Sequence, residues 1–283
     1  MKQFAAVILS ALIAVSAFAQ GKIETHAIHS NVLGVDQNYN VYLPKGYNPE
    51  QHYPLVVLLH GLSDDYTAWE EWGRMDWVAN QVIASGECQP LVVLMPNAGN
   101  ADIHAYPNGY FNVPGWSYED FFFTELLPAV EAKFNCGGSK GQRAIMGLSM
   151  GGGGSVVYSQ HHPEMFSSCF AMSGWLDNEL REVWTEIPEG SKFPATAKSV
   201  SDNSAIEYVK KATPDTLERL KTVKWFIDCG DDDFILDLSL DFYRAMREAG
   251  VPAQLRIRDG VHNWEYWHVS LGMALPFASR NFN

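Results

Sequence analysis

The stretch Arg143-Ala144-Ile145-Met146-Gly147-Leu148-Ser149-Met150-Gly151-Gly152-Gly153-Gly154 passes from an apolar strand into a glycine-rich turn and on into a helix. A serine between two glycines at such a turn sits where the backbone bends so sharply that its neighbours must be small. The bend lifts the hydroxyl above the edge of a sheet. The five-residue pattern alone arises often by chance. The strand before it and the helix after it are the context that makes it specific, and Ser149 is expected to be a nucleophile.

Working outward, Leu55–Leu59, 91–95, Ser168–Met172 and 223–228 are apolar runs bounded by turn residues. Such runs mark strands covered on both faces, as in a parallel sheet. Residues 39–43 and 253–257 read as further strands. Helical spacing recurs over Met75–Ala84, from the glycine turn to about 161, over about 238–249 and from 264 to about 278. Residues 118–134 form an amphipathic helix with Ser117 as N-cap candidate and acids in its first turn, and Pro128 is expected to kink it. Strand–helix alternation predicts a mostly parallel sheet with helices on both faces and right-handed crossovers. Residues 175–222 break the rhythm with Pro188, Gly190, Pro194 and Pro214. They are expected to be an insertion of loops and short helices near the site, inside one domain spanning 20–283.

The chain opens with Lys2, then an apolar run to Ala19, with Ala17-Phe18-Ala19 as a small-x-small cleavage pattern before Gln20. This predicts a signal peptide over residues 1–19 and a secreted or periplasmic protein; the run is short for a membrane span. The formal charge of −13 argues against a nucleic-acid surface and gives no attraction to anionic membranes. Four cysteines, Cys88, Cys136, Cys169 and Cys229, are widely spaced without a Cys-x-x-Cys motif, so no metal site is expected. Cys169 and Cys229 read as buried small hydrophobes. Export permits a Cys88–Cys136 disulfide.

A serine hydroxyl needs a base, and at this kind of turn the partners follow in the chain order serine, acid, histidine. Strand 223–228 runs into Asp231-Asp232-Asp233, any of which stands at the carboxyl end of a late strand. Two histidines follow. His262 lies in a loop between a strand and a helix, where an imidazole reaches over the sheet edge; His268 falls inside the helix. For the oxyanion, the N–H of Met150 is one expected donor, and that of Leu62, after Leu59-His60-Gly61, is the other. Each such donor contributes roughly 3–4 kcal/mol to transition-state stabilisation. His60 is expected to support that loop rather than act as the base. The chain holds nine Trp, twelve Tyr and fifteen Phe. Trp116 and Trp264 flank the predicted site loops and are the expected substrate contacts.

His60-Gly61, Gly147-Leu148-Ser149-Met150-Gly151-Gly152, Cys229-Gly230-Asp231-Asp232-Asp233 and Gly260-Val261-His262-Asn263-Trp264 together resemble the Putative esterase family of α/β-hydrolases. That family takes in feruloyl and acetyl-xylan esterases of carbohydrate esterase family one, S-formylglutathione hydrolases (esterase D), tributyrin esterases and mycolyltransferases. The resemblance runs from about residue 25 to 280 and implies an α/β-hydrolase fold without metal or organic cofactor. Its Gly-x-x-Asp pattern selects Asp233, and its Gly-x-His-x-Trp-like run selects His262. The function expected is a secreted serine esterase acting through an acyl-enzyme on feruloyl or acetyl esters of plant xylan. Rival expectations are a broad short-chain carboxylesterase, an acyltransferase, and an S-formylglutathione hydrolase-like thioesterase, which export disfavours. A non-catalytic carbohydrate-binding protein ranks below these, since serine, acid and histidine are all present.

Overall fold

The computed structural model describes residues 20–178 and 187–283. The expected signal peptide at 1–19, and residues 179–186 of the expected insertion, lie outside the described residues. Strands β1 (Lys22–Ser30) and β2 (Val35–Leu43) form an antiparallel pair, followed by β3 (Leu55–Leu59), helices α1 (Ala68–Glu71) and α2 (Met75–Ala84), and β4 (Val92–Pro96). A small hairpin, β5 (Asn112–Val113) and β6 (Trp116–Ser117), leads into α3 (Tyr118–Phe121) and α4 (Leu127–Phe134). Then come β7 (Arg143–Leu148), α5 (Met150–His161) and β8 (Ser168–Met172). Three helices, α6 (Phe193–Asp202), α7 (Ala205–Lys210) and α8 (Pro214–Leu220), separate β8 from β9 (Lys224–Gly230). The chain closes with α9 (Leu236–Glu248), β10 (Ala253–Arg258) and α10 (Trp264–Arg280).

The main sheet has eight strands in the order β1-β2-β4-β3-β7-β8-β9-β10. From β4 to β10 all neighbours are parallel, and β2 runs against both β1 and β4. This is the α/β-hydrolase arrangement. Strand β3 is buried along its whole length because alternate side chains enter two separate cores. Leu55, Val57 and Leu59 join Val156, Phe122 and Phe242 on one face, whereas Val56 and Leu58 join Val78, Leu271 and Leu275 on the other.

The kink expected at Pro128 takes a specific form. Residues Phe122–Leu126, between α3 and α4, make a π-helical turn, and Pro128 sits in the first turn of α4. Proline has no N–H to return to the preceding turn and its ring crowds that turn's carbonyl, so the helix widens there. Ser117 occupies the N-cap position, but its side chain makes no cap hydrogen bond. All four cysteines are free and buried. Cys88 belongs to one core and Cys136 to the other, across the sheet, so the two do not pair. Burial pushes the Cys88 thiol up to about 11 and the Cys136 thiol up to about 12, which leaves both unreactive at neutral pH.

Candidate active site

The carboxyl ends of the parallel strands bring the expected residues to one edge. Ser149 stands between β7 and α5 with φ 51° and ψ −118°, a backbone conformation that L-residues rarely hold. What over-determines it is the packing of its neighbours. A β-carbon on Gly147 would press into the Gly151 backbone, and one on Gly151 into the carbonyls of Leu59 and His60. The turn is also tied down on both sides: the Ser149 N–H donates to the Met172 carbonyl at 2.9 Å, and the Ser149 carbonyl accepts from Gly153 at 3.0 Å and Trp175 at 2.8 Å.

His262 comes from the loop between β10 and α10, 113 residues further along the chain. Its Nε2 lies 3.0 Å from Ser149 Oγ. Its Nδ1 lies 2.9 Å from each carboxylate oxygen of Asp233. A carboxylate only accepts, so the Nδ1 carries the proton and Nε2 faces the serine as an acceptor. The Asp233 side chain is fully buried. Burial by itself would raise its pKa, but the hydrogen bond and charge of His262, the Ser173 hydroxyl and the Ile235 N–H outweigh it. The carboxyl is held below the ordinary carboxylate range. The geometry thus selects Asp233 from the three aspartates. Asp231 does different work: its carboxylate accepts the Gly260 N–H at 3.0 Å, and its own N–H donates to the Arg258 carbonyl at 3.0 Å. With the Asp232 N–H on the Gly260 carbonyl at 3.1 Å, these bonds extend the β9–β10 pairing and lace the acid loop to the histidine loop.

Met150 opens α5, where the first N–H groups have no intrahelical acceptor. Leu62 follows β3 in the turn Gly61–Asp64. Neither N–H donates to a protein acceptor among the described residues. The turn carrying Leu62 is braced from within. The Gly61 N–H donates to Asp64 Oδ2 at 3.1 Å, and Ser63 takes a positive φ of 64°. Burial pushes the Asp64 carboxyl up to about 6, against the Gly61 N–H, which lowers it. Buried His60 accepts the Ala98 N–H on Nε2 at 2.9 Å and donates from Nδ1 to the Gly61 carbonyl at 2.8 Å. Desolvation lowers its pKa to about 4, so it stays neutral. His60 is therefore a brace between the loops after β3 and β4. His268 bonds the Gly73 carbonyl at 2.8 Å and stacks on Trp77, away from the serine.

The two expected substrate tryptophans part company. Trp116 lies in the short hairpin, its indole N–H buried without a partner among the described residues. Trp264 packs edge-on against Trp69 and Trp267, in the core on the α2 and α10 side. The aromatic rings that touch the His262 imidazole are others. Phe234 lies 4.6 Å from His262 and is 65% exposed, and Trp267 packs at 4.8 Å with its indole N–H on Ser173. Phe234 directly follows the three aspartates, which was the available signal for it. Trp267 sits one helical turn beyond Asn263, five residues after His262, and that nearness to the histidine loop was its signal.

A family model described as Putative esterase matches residues 30–278. Among solved structures, a ferulic acid esterase is 45% identical and superposes with a TM-score of 0.88, covering 93% of this chain and 99% of that one. An S-formylglutathione hydrolase from Staphylococcus aureus shares the fold at 23% identity and a TM-score of 0.74, covering 92% of this chain and 99% of that one. Among curated proteins, an endo-1,4-beta-xylanase/feruloyl esterase from Xylanibacter ruminicola is 26% identical over 253 residues. The match covers 87% of this chain and 30% of that relative, so the chain spans about a third of its length.

Proposed function

The chain belongs to the Putative esterase family, and from that premise we propose that it is a serine hydrolase cleaving carboxylic esters through an acyl-enzyme, with feruloyl esters of plant polysaccharide as its substrate class. The observation that carries the reading is the continuous line from Asp233 through His262 to Ser149, every link 3.0 Å or shorter. In this reading His262 Nε2 takes the Ser149 proton as Oγ attacks the ester carbonyl. The developing oxyanion accepts from the Met150 and Leu62 N–H groups. His262 then gives its proton to the departing alcohol oxygen. Water, deprotonated by the same nitrogen, attacks the acyl carbonyl and returns the free acid and Ser149. Asp233 holds the tautomer and stabilises the imidazolium.

The choice of acyl group rests on the 45% identity to a ferulic acid esterase over nearly the whole chain. Export through a signal peptide at 1–19, part of the same proposal, fits a polymeric substrate outside the cell. Residues 175–222 are proposed to be the variable segment beside the site. The reading is tested by a panel of methyl ferulate, acetylated xylan and p-nitrophenyl butyrate, with Ser149→Ala as control. Preference for methyl ferulate, lost by about a million-fold in the variant, supports it. Equal rates on all three esters would make the protein a broad carboxylesterase instead.

A further inference from the structure

Along the carboxyl edge of the sheet, the loop after β3 lies beside Ser149 and the loop after β4 lies one strand further. Gly99 in that second loop packs against the Asp64 carbonyl and His60. Next comes β2, which runs the opposite way and pairs Tyr39 with Pro96. Gln37, two residues before Tyr39, therefore stands over the loop after β4. Here the chain forms a recess of about 110 Å³ lined by Gln37, Asn97, Asn100, Tyr106 and Trp116. At about 4.8 Å per strand, it lies on the order of 10–15 Å from the nucleophile. Ligands of open α/β sheets bind along this edge.

The recess is built of groups that want a polar partner and lack one. The Asn97 Oδ1 acceptor and the Trp116 Nε1 donor are both buried and, among the described residues, unpaired. Gln37, 8% exposed, adds a side-chain amide to the same lining. Leaving such a group dry and unpaired costs about 1–3 kcal/mol, so one unpaired acceptor and one unpaired donor on residues of the same lining point to a polar occupant. Among the described residues the lining has no carboxylate, ammonium, guanidinium or imidazole group, in a chain of net charge −13. Amides beside the faces of Trp116 and half-exposed Tyr106 suit a ring that is flat or apolar on its face and hydroxylated at its rim.

We propose that the recess lined by Gln37, Asn97 and Trp116 is a specificity subsite for an uncharged, hydroxyl-bearing ring of the ester substrate. The proposal rests on the esterase reading above and extends it. The ring has two sources to distinguish, the phenol of the acyl group and a sugar of the alcohol.

The test uses Trp116→Phe, which keeps the ring and removes the N–H, and Gln37→Met, which keeps the bulk and removes the amide. For each, kcat/KM is measured on methyl cinnamate, methyl ferulate and a feruloylated arabinoxylo-oligosaccharide. A five- to tenfold fall in the ferulate-to-cinnamate ratio, about one lost hydrogen bond, assigns the phenol. The same fall in the ratio of oligosaccharide ester to methyl ferulate assigns the sugar. Ratios that stay at the wild-type value in both variants overturn the subsite, whatever happens to the absolute rates. If the wild-type protein cleaves none of the three esters, the esterase reading fails separately. Ligand-observed NMR with ferulate and the unesterified oligosaccharide then decides the recess. Binding weakened by Gln37→Met upholds it, and no binding, or binding unchanged in the variant, removes it.

Discussion

Gly230 and Gly260 meet where the acid loop leaves β9 and the histidine loop leaves β10: a β-carbon on Gly230 would collide with the Gly260 carbonyl. The contact sets the spacing between Asp233 and His262, because three backbone and side-chain bonds cross the same gap. Gly230→Ala is expected to push the loops apart. Overpacking of this kind costs about 1–3 kcal/mol. The proposed relay needs that spacing, so kcat on any accepted ester should fall at least tenfold even at temperatures where the variant remains folded. Thermal melting together with rates at 20 °C checks this; full activity in a folded variant would show that the loop contact does not set the geometry.

Asp233 has two roles that can be separated. Asp233→Asn leaves the shape but can hold the wrong imidazole tautomer, and kcat should drop on the order of 10⁴-fold. The carboxyl also contributes to stability. Its pKa is depressed in the folded chain, so the contribution is complete above the unfolded value of about 3.9 and disappears as pH falls through the folded value. Wild type and Asp233→Asn should therefore differ in urea stability at pH 6 and converge below about pH 4. A gap that persists unchanged into acid would contradict the hydrogen-bonded, ionised state of Asp233.

Backbone strain at Ser149 predicts a trade between stability and function. With φ at 51°, alanine inherits the strain and glycine relieves it. Ser149→Gly should melt a few degrees higher than Ser149→Ala, corresponding to about 1–3 kcal/mol of released strain, with both inactive. Equal melting temperatures would mean the turn is not strained.

Asp64 and His60 flank the Leu62 turn and respond oppositely to acid. The Asp64 carboxyl rises to about 6 through burial, so its ionisation opposes folding increasingly from about pH 4 to 6 and fully above. The His60 pKa drops to about 4, so stability from its neutral form is complete above the unfolded value of about 6.5 and is lost as pH falls toward 4. Asp64→Asn keeps the acceptor for Gly61 and removes only the titration. It should be more stable than wild type at pH 8, with the advantage gone by pH 4. Denaturant melts across that range read it directly, and a variant less stable at pH 8 would refute the sign.

Much of this architecture was legible because burial on both faces leaves a simple trace. Leu55–Leu59, Met75–Ala84 and Ser168–Met172 appear with the bounds that their apolar runs and spacing predict. β1 was not: its side chains alternate between exposed and half-buried at the sheet edge, and Glu24, His26 and His29 interrupt any apolar run. The first residues of β2, including Gln37, pair with β1 but extend past the pairing with β4, and they too carry no apolar run. Ser149 and His262 were readable from local context. Asp233 needed the family pattern, since three consecutive carboxylates look alike until one is folded against an imidazole. Contacts made only across the chain, such as Asp231 on Gly260, leave no local mark at all.

Ser149, with His262 Nε2 3.0 Å from its hydroxyl, is proposed as the one serine activated by an imidazole. Treating the protein with a fluorophosphonate and mapping the adduct by peptide mass spectrometry tests this most directly. One adduct per chain is predicted, on Ser149, formed far more slowly in His262→Ala. An unlabelled Ser149, an adduct on another serine, or labelling that ignores the loss of His262 would contradict it.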